Sequence, residues 1–184
     1  MTDYVDTLVV GGGQAGLAVS YYLSQQGRPH VVLEQSERAG NAWRNHRWDS
    51  FVLNTPNWQT RMPGAEYRGD DPDSFMSRQE VVSYLEHYVE RFQLPVRYCI
   101  RVSSVEQNSR CQSYLVRTNR GTVTCARDVV IATGLYQEPK MPVLSADLPQ
   151  GIKQLHSDAY RNPGATAARG GAGSGKRAVR RSNC

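Results

Sequence analysis

Residues 6–35, DTLVVGGGQAGLAVSYYLSQQGRPHVVLEQ, contain the pattern that decides the fold. One apolar run predicts a buried strand at about residues 4–10, and another predicts a second strand at about residues 30–34. Between them, a glycine turn opens a helix that ends near Gly27. The residues expected on one side of that helix are Leu17, Ala18, Tyr21 and Tyr22. The stretch forms a complete strand–helix–strand unit, which is typical of an α/β protein with a parallel sheet.

The turn carries Gly11, Gly13 and Gly16, which have the G-x-G-x-x-G spacing of a dinucleotide-binding loop. The first glycine allows the tight turn, the second lets backbone approach a pyrophosphate, and the third lets the helix pack closely on the strand. This spacing is weak by itself, but here it follows an apolar strand and opens a helix. It therefore predicts a dinucleotide site.

An acidic residue closes the unit. Glu34 stands 18 positions after Gly16, close to the roughly 20 expected for a carboxylate that accepts hydrogen bonds from an adenosine ribose. A carboxylate in this place also repels a 2′-phosphate. The sequence therefore predicts that this site holds FAD or NAD rather than NADP.

Downstream, the sequence predicts one long helix and a return to the sheet. Ser77 and Glu80 have the spacing of a capping box at the start of the helix. Alternating residues over 96–126, broken at NSR and NRG, predict a three-stranded antiparallel meander. A separate buried strand is expected at 129–132, with its end delivered to the ligand side of the sheet.

Composition indicates one globular domain without a membrane or nucleic-acid partner. The 184 residues contain no apolar run long enough to span a membrane and no secretory signal at the start, which predicts a cytoplasmic location. The net charge of +5 is unevenly placed, because residues 1–160 sum to −1 and residues 161–184 to +6. We expect a domain over 1–160 and a basic, Gly/Arg-rich flexible tail over 161–184, with no aromatic residue on which a base could stack.

The tail also imitates a phosphate-binding loop. Gly170, Gly175 and Lys176 have the G-x-x-x-x-G-K spacing, but no apolar strand precedes them, and Arg177 stands where Ser or Thr would meet magnesium. We therefore do not interpret this segment as a nucleotide site.

The four cysteines have neither C-x-x-C nor metal-ligand spacing, so the sequence predicts reduced thiols and no metal centre.

Several motifs in chain order resemble those of the two-dinucleotide-fold flavoproteins. They are the N-terminal glycine turn, the acid that ends the second strand, a G-x-x-W at residues 40–43, the long helix, the meander and an A-T-G strand. Within that group, three stretches resemble the flavin-containing monooxygenase-like oxidoreductases, in particular bacterial flavin-dependent ones: AWRNHRWDSFVLNTPNWQTRMPG, IATGLYQEP and QLHSDAYRNP. The likeness covers about residues 4–163 and implies a Rossmann-like FAD-binding domain.

The resemblance also implies roles for individual residues. FAD would lie on the turn with its ribose on Glu34, Trp43 and Arg44 would line the flavin side, and Val102 would offer backbone to the adenine. The full set of implied cofactor-binding residues is Gly11, Gly13, Gln14, Ala15, Gly16, Glu34, Trp43, Arg44, Val102, Thr133 and Gly134. Two alternatives stay open: the tryptophans could be core or loop anchors, and Arg44 could pair with Asp49 on the surface.

The chain departs from the family pattern in three ways. The F-x-G-x-x-x-H fingerprint of monooxygenases is not met at His156, which could mark an interdomain linker or be a polar loop residue. The absence of C-x-x-C argues against the disulfide-reductase branch. In the family an NADPH-binding domain follows, and its place is taken here by the basic tail, which suggests a truncated or out-of-register reading frame.

Two main functional hypotheses follow from the sequence, and a weaker third interprets the basic tail as a tether to a membrane surface or a nucleic acid. The intact protein would be an NADPH-dependent flavin monooxygenase or oxidoreductase acting on a small molecule of unknown identity, and it could form a homo-oligomer. The alternative is a non-catalytic FAD-binding fragment, inactive with NADPH. The sequence assigns no catalytic residue in either case.

Overall fold

The computed structural model describes residues 3–108, 112–134 and 138–168. Within these ranges the chain contains, in order, β1 (Asp3–Val10), α1 (Gln14–Gln25), β2 (His30–Leu33), α2 (Asn41–Asn45), β3 (Arg61–Met62), β4 (Ala65–Glu66), α3 (Arg78–Arg91), β5 (Val96–Arg97), β6 (Val102–Asn108), β7 (Ser113–Thr118), β8 (Val123–Ile131) and α4 (Pro163–Ala168). The predicted α/β class, with helices and a largely parallel sheet, is confirmed.

The described strands form one six-stranded sheet and a small hairpin. The sheet order is β5-β2-β1-β8-β7-β6, and β3 pairs with β4. The β5, β2, β1 and β8 strands run parallel, with Val10 beside Leu33 on one side and Ile131 on the other. The β8–β7 and β7–β6 pairs are antiparallel. The carboxyl ends of β1, β2 and β8 therefore meet at one edge, where ligands bind in open α/β sheets.

Strand β1 lies at the centre because its C-terminal half is apolar on both faces. Leu8 and Val9 are completely buried. Leu8 packs with Leu33 and with Val116 from the meander, while Val9 packs with Leu23 of α1 on the opposite face. Near-continuous apolar runs are typical of parallel strands covered on both sides.

Helix α1 matches its predicted range closely, with one correction. Its buried residues are Gly16, Leu17, Ser20 and Leu23. Tyr22 was expected on the apolar side but is 56% exposed. It is one position before Leu23, and adjacent positions on a helix point about 100° apart, so Tyr22 turns away from the sheet. The prediction for Tyr22 was wrong, while Tyr21 packs edge-on against Phe92.

Helix α3 begins with the predicted capping box. The Ser77 hydroxyl accepts from the Glu80 N–H at 3.3 Å, and the Glu80 carboxylate accepts from the Ser77 N–H at 2.7 Å. Hydrogen bonds from the Ser77 side chain and from its backbone N–H to the Glu80 carboxylate lower the pKa of Glu80. The helix buries Leu85 and Tyr88 against Leu17 and Met62, forming a second core that fixes the β3–β4 hairpin beside α1.

We expect Ser77→Ala to lower the free energy of unfolding by about 1 kcal/mol, because the cap hydrogen bond to Glu80 is lost. Ser83→Ala is the matched control, since Ser83 is exposed in the middle of the same helix. Urea unfolding followed by circular dichroism gives both values. Equal effects of the two substitutions would contradict a stabilising cap.

Two strand predictions need correction. The meander exists, but its third strand and the separate strand expected at 129–132 are one continuous strand, β8. The first part of β8 pairs with β7, and nearly all of β8 pairs with β1. The first strand expected after Pro95 is broken in two, because Cys99 adopts a left-handed φ of 57°. Its first part, β5, pairs with β2, and the second part becomes β6.

The beginning of the segment assigned to the basic tail is ordered against the domain. The Arg161 carbonyl accepts from the Asp49 N–H at 2.9 Å, and the Asn162 side-chain amide donates to Asp49 Oδ2 at 2.6 Å. Asn162 Oδ1 accepts from the Ala165 N–H at 2.7 Å at the start of α4. The glycine-rich motif at residues 170–176 lies outside the described residues. Among the described residues, no helix is both long and apolar enough to cross a membrane.

Candidate functional site

The glycine turn between β1 and α1 is built so that two of its glycines admit no side chain and one faces open space. A Cβ at Gly11 would lie 2.5 Å from the Ala132 carbonyl oxygen, and one at Gly16 would lie 1.9 Å from the Gly11 carbonyl oxygen. A Cβ at Gly13 would meet no heavy atom within 4 Å. Gly11 and Gly16 therefore serve backbone packing, while Gly13 leaves room for a ligand.

The N-terminus of α1 lacks the cap that α3 has. Gly13 is its N-cap, no side chain accepts a hydrogen bond there, and the first turn contains no acid. The exposed residues Gln14 and Ala15 follow directly. Free N–H groups at the positive end of a helix dipole favour an anion such as a pyrophosphate.

Glu34 is only 7% exposed and is held beside the turn by three contacts. Its Oε2 accepts from the Gly12 N–H at 2.6 Å. Its Oε1 accepts from the Ser36 N–H at 2.9 Å and lies 2.7 Å from the Ser36 hydroxyl. The predicted juxtaposition of the carboxylate with the glycine turn is therefore present in the structure.

Tyr98 lies near this carboxylate. Burial raises the pKa of its phenol, and the negative charges of Glu34 and Glu86 raise it further. Both effects keep the phenol protonated and neutral at physiological pH.

A polar cleft of about 740 Å³ opens next to Glu34, at the end of β2. Its lining combines three guanidinium groups, one carboxylate, amides and a hydroxyl from four segments: Gln35, Ser36, Glu37, Arg38, Asn41, Arg44, Asn45, Arg101 and Asn119. Within the described residues, Arg38 and Arg101 form no ion pair through their side chains. The cleft is therefore net basic and large enough for a nucleotide.

The end of β8 contacts the turn directly. The Ala132 N–H donates to the Val10 carbonyl at 2.8 Å, and the Thr133 nitrogen would lie 3.3 Å from a Cβ at Gly11. Thr133 and Gly134 are exposed, and Gly134 has a left-handed φ of 85°. The structure thus brings the predicted residue Thr133 beside the glycine turn, and Gly134 follows it in sequence.

Trp43 and Arg44 lie on α2, on the α3 side of the site. Trp43 is half-buried, packs against Phe51 with ring centroids 5.7 Å apart, and carries the Arg47 guanidinium 5.3 Å above its ring. Arg44 lines the cleft and pairs with Glu86 at 2.7 Å. The alternative pairing of Arg44 with Asp49 was wrong, because Asp49 is paired with Arg78 at 3.4 Å.

Val102 is the first residue of β6 and lies half-buried beside the apolar cluster of the central sheet. Its neighbour Arg101 lines the polar cleft, so the backbone at this point runs along the cleft wall.

His156, which the sequence left as a linker or a polar loop residue, is half-buried, and its Nδ1 accepts from the Asp158 N–H at 3.1 Å.

The sequence did not identify two kinds of site residue. The first kind comprises Ser36 and Gly12, which donate hydrogen bonds to the Glu34 carboxylate. In the sequence, Ser36 is marked by its position two residues after Glu34, and Gly12 by its position inside the glycine turn. Arg61, from the β3–β4 hairpin, shares a smaller cleft of about 330 Å³ with Gln14 and Ala15. No spacing in the sequence relates Arg61 to that turn.

The residues fit a bound dinucleotide. The open position over Gly13 leaves room for a pyrophosphate, and the uncapped N-terminus of α1 directs its dipole at that anion. The buried Glu34 carboxylate, beside a nucleotide-sized cleft, can accept hydrogen bonds from a ribose. Among the described residues, no group of three or more His, Cys, Asp or Glu side chains could hold a metal ion.

Comparisons with known proteins agree with this geometry. A family model described as pyridine nucleotide-disulphide oxidoreductase matches residues 8–165. An uncharacterized CzcO-like oxidoreductase of Geobacillus kaustophilus is 38% identical over 163 residues, which is 89% of this chain and 45% of that protein. A mutant of a flavin monooxygenase from Stenotrophomonas maltophilia superposes with a TM-score of 0.79 at 34% identity, covering 89% of this chain and 48% of the other.

A steroid monooxygenase bound to NADP superposes with a TM-score of 0.68 at 26% identity, covering 76% of this chain and 28% of that one. The predicted resemblance to flavin-containing monooxygenase-like oxidoreductases is confirmed by these matches. The chain spans less than half the length of each of these relatives.

Proposed function

Because the chain belongs to the pyridine nucleotide-disulphide oxidoreductase family, we propose that it binds FAD at the glycine turn and functions as a flavin-dependent oxidoreductase. The observation that supports this most is the turn with its open Gly13 position beside the buried Glu34 carboxylate. An anion at the N-terminus of α1 and a ribose at Glu34 match the two ends of the ADP half of FAD.

FAD would supply the redox chemistry, accepting two electrons from a reduced nicotinamide and passing them to oxygen or another acceptor. The residues of this chain would bind and orient it. The N–H groups at Gly13, Gln14 and Ala15 would hold the pyrophosphate, Glu34 the ribose, and the Thr133 and Gly134 segment would lie against the cofactor from β8. We propose NADPH as the reductant, since one structural relative is a monooxygenase bound to NADP.

A second candidate is a chain that binds FAD but does not by itself accept hydride from NADPH. The observation favouring it is that the described residues contain one G-x-G-x-x-G turn, at residues 11–16, which would serve one dinucleotide. Hydride transfer needs the nicotinamide held at near-attack distance from the flavin. Among the described residues, no second G-x-G-x-x-G turn is present to bind the nicotinamide dinucleotide.

One experiment tests FAD binding and separates the two candidates. The full chain is purified, incubated with FAD and separated from free flavin, and bound FAD is measured by its absorbance. The loaded chain is then mixed with NADPH in an anaerobic stopped-flow instrument, with dithionite as the control reductant. Absence of bound FAD would refute both candidates. Bound FAD that dithionite reduces and NADPH does not would favour the second, and rapid reduction by NADPH the first.

We expect Glu34→Ala to weaken FAD binding about 10- to 100-fold, because charge-assisted hydrogen bonds to the ribose are lost. Glu90→Ala is the matched control, since Glu90 has the same charge and is exposed on α3, outside the residues that line the cleft. Titration of FAD fluorescence measures both affinities, and thermal unfolding checks that the loss of the Gly12 contact leaves the chain folded. Equal losses in both variants would place the ribose away from Glu34.

A further inference from the structure

The hydroxyl of Ser36 has two acceptors at equal distance. Its Oγ lies 2.7 Å from Glu34 Oε1 and 2.7 Å from the Arg38 carbonyl oxygen. A serine hydroxyl has one proton, so it donates to one of these two oxygens at a time. Without a ligand, the charged carboxylate is the stronger acceptor, so the serine hydroxyl donates its hydrogen bond to Glu34.

In that state Glu34 has little capacity left. A carboxylate offers about four lone-pair positions, two on each oxygen. On Oε1 both are used, by the Ser36 N–H at 2.9 Å and by the Ser36 hydroxyl. On Oε2 one is used, by the Gly12 N–H at 2.6 Å. One position remains, whereas a ribose presents two hydroxyl groups.

From this geometry we propose that Ser36 is a positioning residue whose hydroxyl turns from Glu34 to the Arg38 carbonyl when the adenosine ribose binds, so that Glu34 accepts both ribose hydroxyls. The inference rests on the proposed function, since it assumes that the ribose of FAD lies at Glu34. The turn frees one lone pair on Oε1. The carboxylate then exchanges the serine hydroxyl for a ribose hydroxyl, and the serine hydroxyl exchanges the carboxylate for the Arg38 carbonyl.

The surroundings allow the hydroxyl to turn while the backbone stays in place. The Ser36 carbonyl accepts from the Cys99 N–H at 2.9 Å, and the Glu34 carbonyl accepts from the Ile100 N–H at 2.9 Å, so both residues are anchored to the segment before β6. The Arg38 carbonyl is already at hydrogen-bond distance. Ser36 is half-buried and lines the polar cleft, so the exchange takes place at the wall that a nucleotide would contact.

The test compares three nucleotides on the full chain. ADP, 2′-deoxy-ADP and 3′-deoxy-ADP are each titrated against bound FAD, and displacement is followed by flavin fluorescence. We expect each deoxy nucleotide to bind about tenfold more weakly than ADP, because each removes one hydrogen bond to the carboxylate. In Glu34→Ala both differences should shrink to about twofold or less. In Ser36→Ala, where one lone pair on Oε1 is always free, both differences should persist.

Three results would overturn the proposal. If only one deoxy nucleotide binds more weakly to the native chain while both do so to Ser36→Ala, the serine hydroxyl stays on Glu34. If one difference survives in Glu34→Ala, another group accepts that ribose hydroxyl. If FAD binds and neither deoxy nucleotide differs from ADP, the ribose does not lie at Glu34, although the flavin assignment stands. A chain that binds no FAD refutes the proposed function itself.

Discussion

A Gly13→Leu chain is expected to remain folded and to lose FAD binding by at least about 100-fold. The backbone at Gly13 has a φ of −85° and a ψ of −174°, an extended conformation that any residue adopts. No heavy atom lies within 4 Å of the position of its Cβ, so the protein itself has room for the side chain. A leucine side chain would, however, occupy the space of the pyrophosphate, because the second glycine of the motif is the point where the backbone approaches it.

Flavin absorbance of the purified variant measures the loss, and thermal unfolding measures the fold. Leucine is a poorer N-cap than glycine, so a loss of stability of up to about 1 kcal/mol is expected. Ser83→Leu, on the exposed side of α3, is the control for an added leucine away from the turn. Flavin content in Gly13→Leu equal to that of the native chain would mean that the dinucleotide does not lie on this turn.

The parts of the site that the sequence predicted are those that depend on local backbone. Gly11, Gly13 and Gly16 were identified because their spacing is that of a dinucleotide-binding turn, and the structure places an obstructing atom at Gly11 and Gly16. Ser77 and Glu80 were identified for the same reason, since a capping box is complete within four residues. Such features need no knowledge of distant segments.

The parts that were missed depend on contacts between distant segments. Arg61 reaches the α1 turn because Tyr84 and Tyr88 of α3 hold its hairpin, through hydrogen bonds to the Ala65 and Pro63 carbonyls. The two halves of β8 were predicted as separate strands because the pattern changes where its partner β7 ends. One strand with two kinds of neighbour has no single periodicity.

The Gly16→Ala substitution is expected to have the largest effect on folding. A Cβ at this position would lie 1.9 Å from the Gly11 carbonyl oxygen, 3.1 Å from its carbon and 3.3 Å from a methyl group of Val9. The first of these neighbours is backbone, so no side-chain rotation relieves the contact. Helix α1 would have to move away from β1, opening the packing of Leu23 on Val9 and Val32. We expect a loss of about 3 kcal/mol or more in the free energy of unfolding.

Gly164→Ala is the matched control, because its Cβ would lie an ordinary 3.4 Å from the Asn162 side chain at the exposed start of α4. Alanine is a better helix former than glycine by about 1 kcal/mol, so this control should be neutral or stabilising. Urea unfolding without flavin isolates the packing effect from ligand binding. Because α1 also presents the N–H groups of its first turn, Gly16→Ala should lose FAD together with about 3 kcal/mol or more of stability, whereas Gly13→Leu should lose FAD with at most about 1 kcal/mol of stability. Loss of FAD from a Gly16→Ala chain of native stability would mean that the close approach of α1 to β1 serves the ligand rather than the fold.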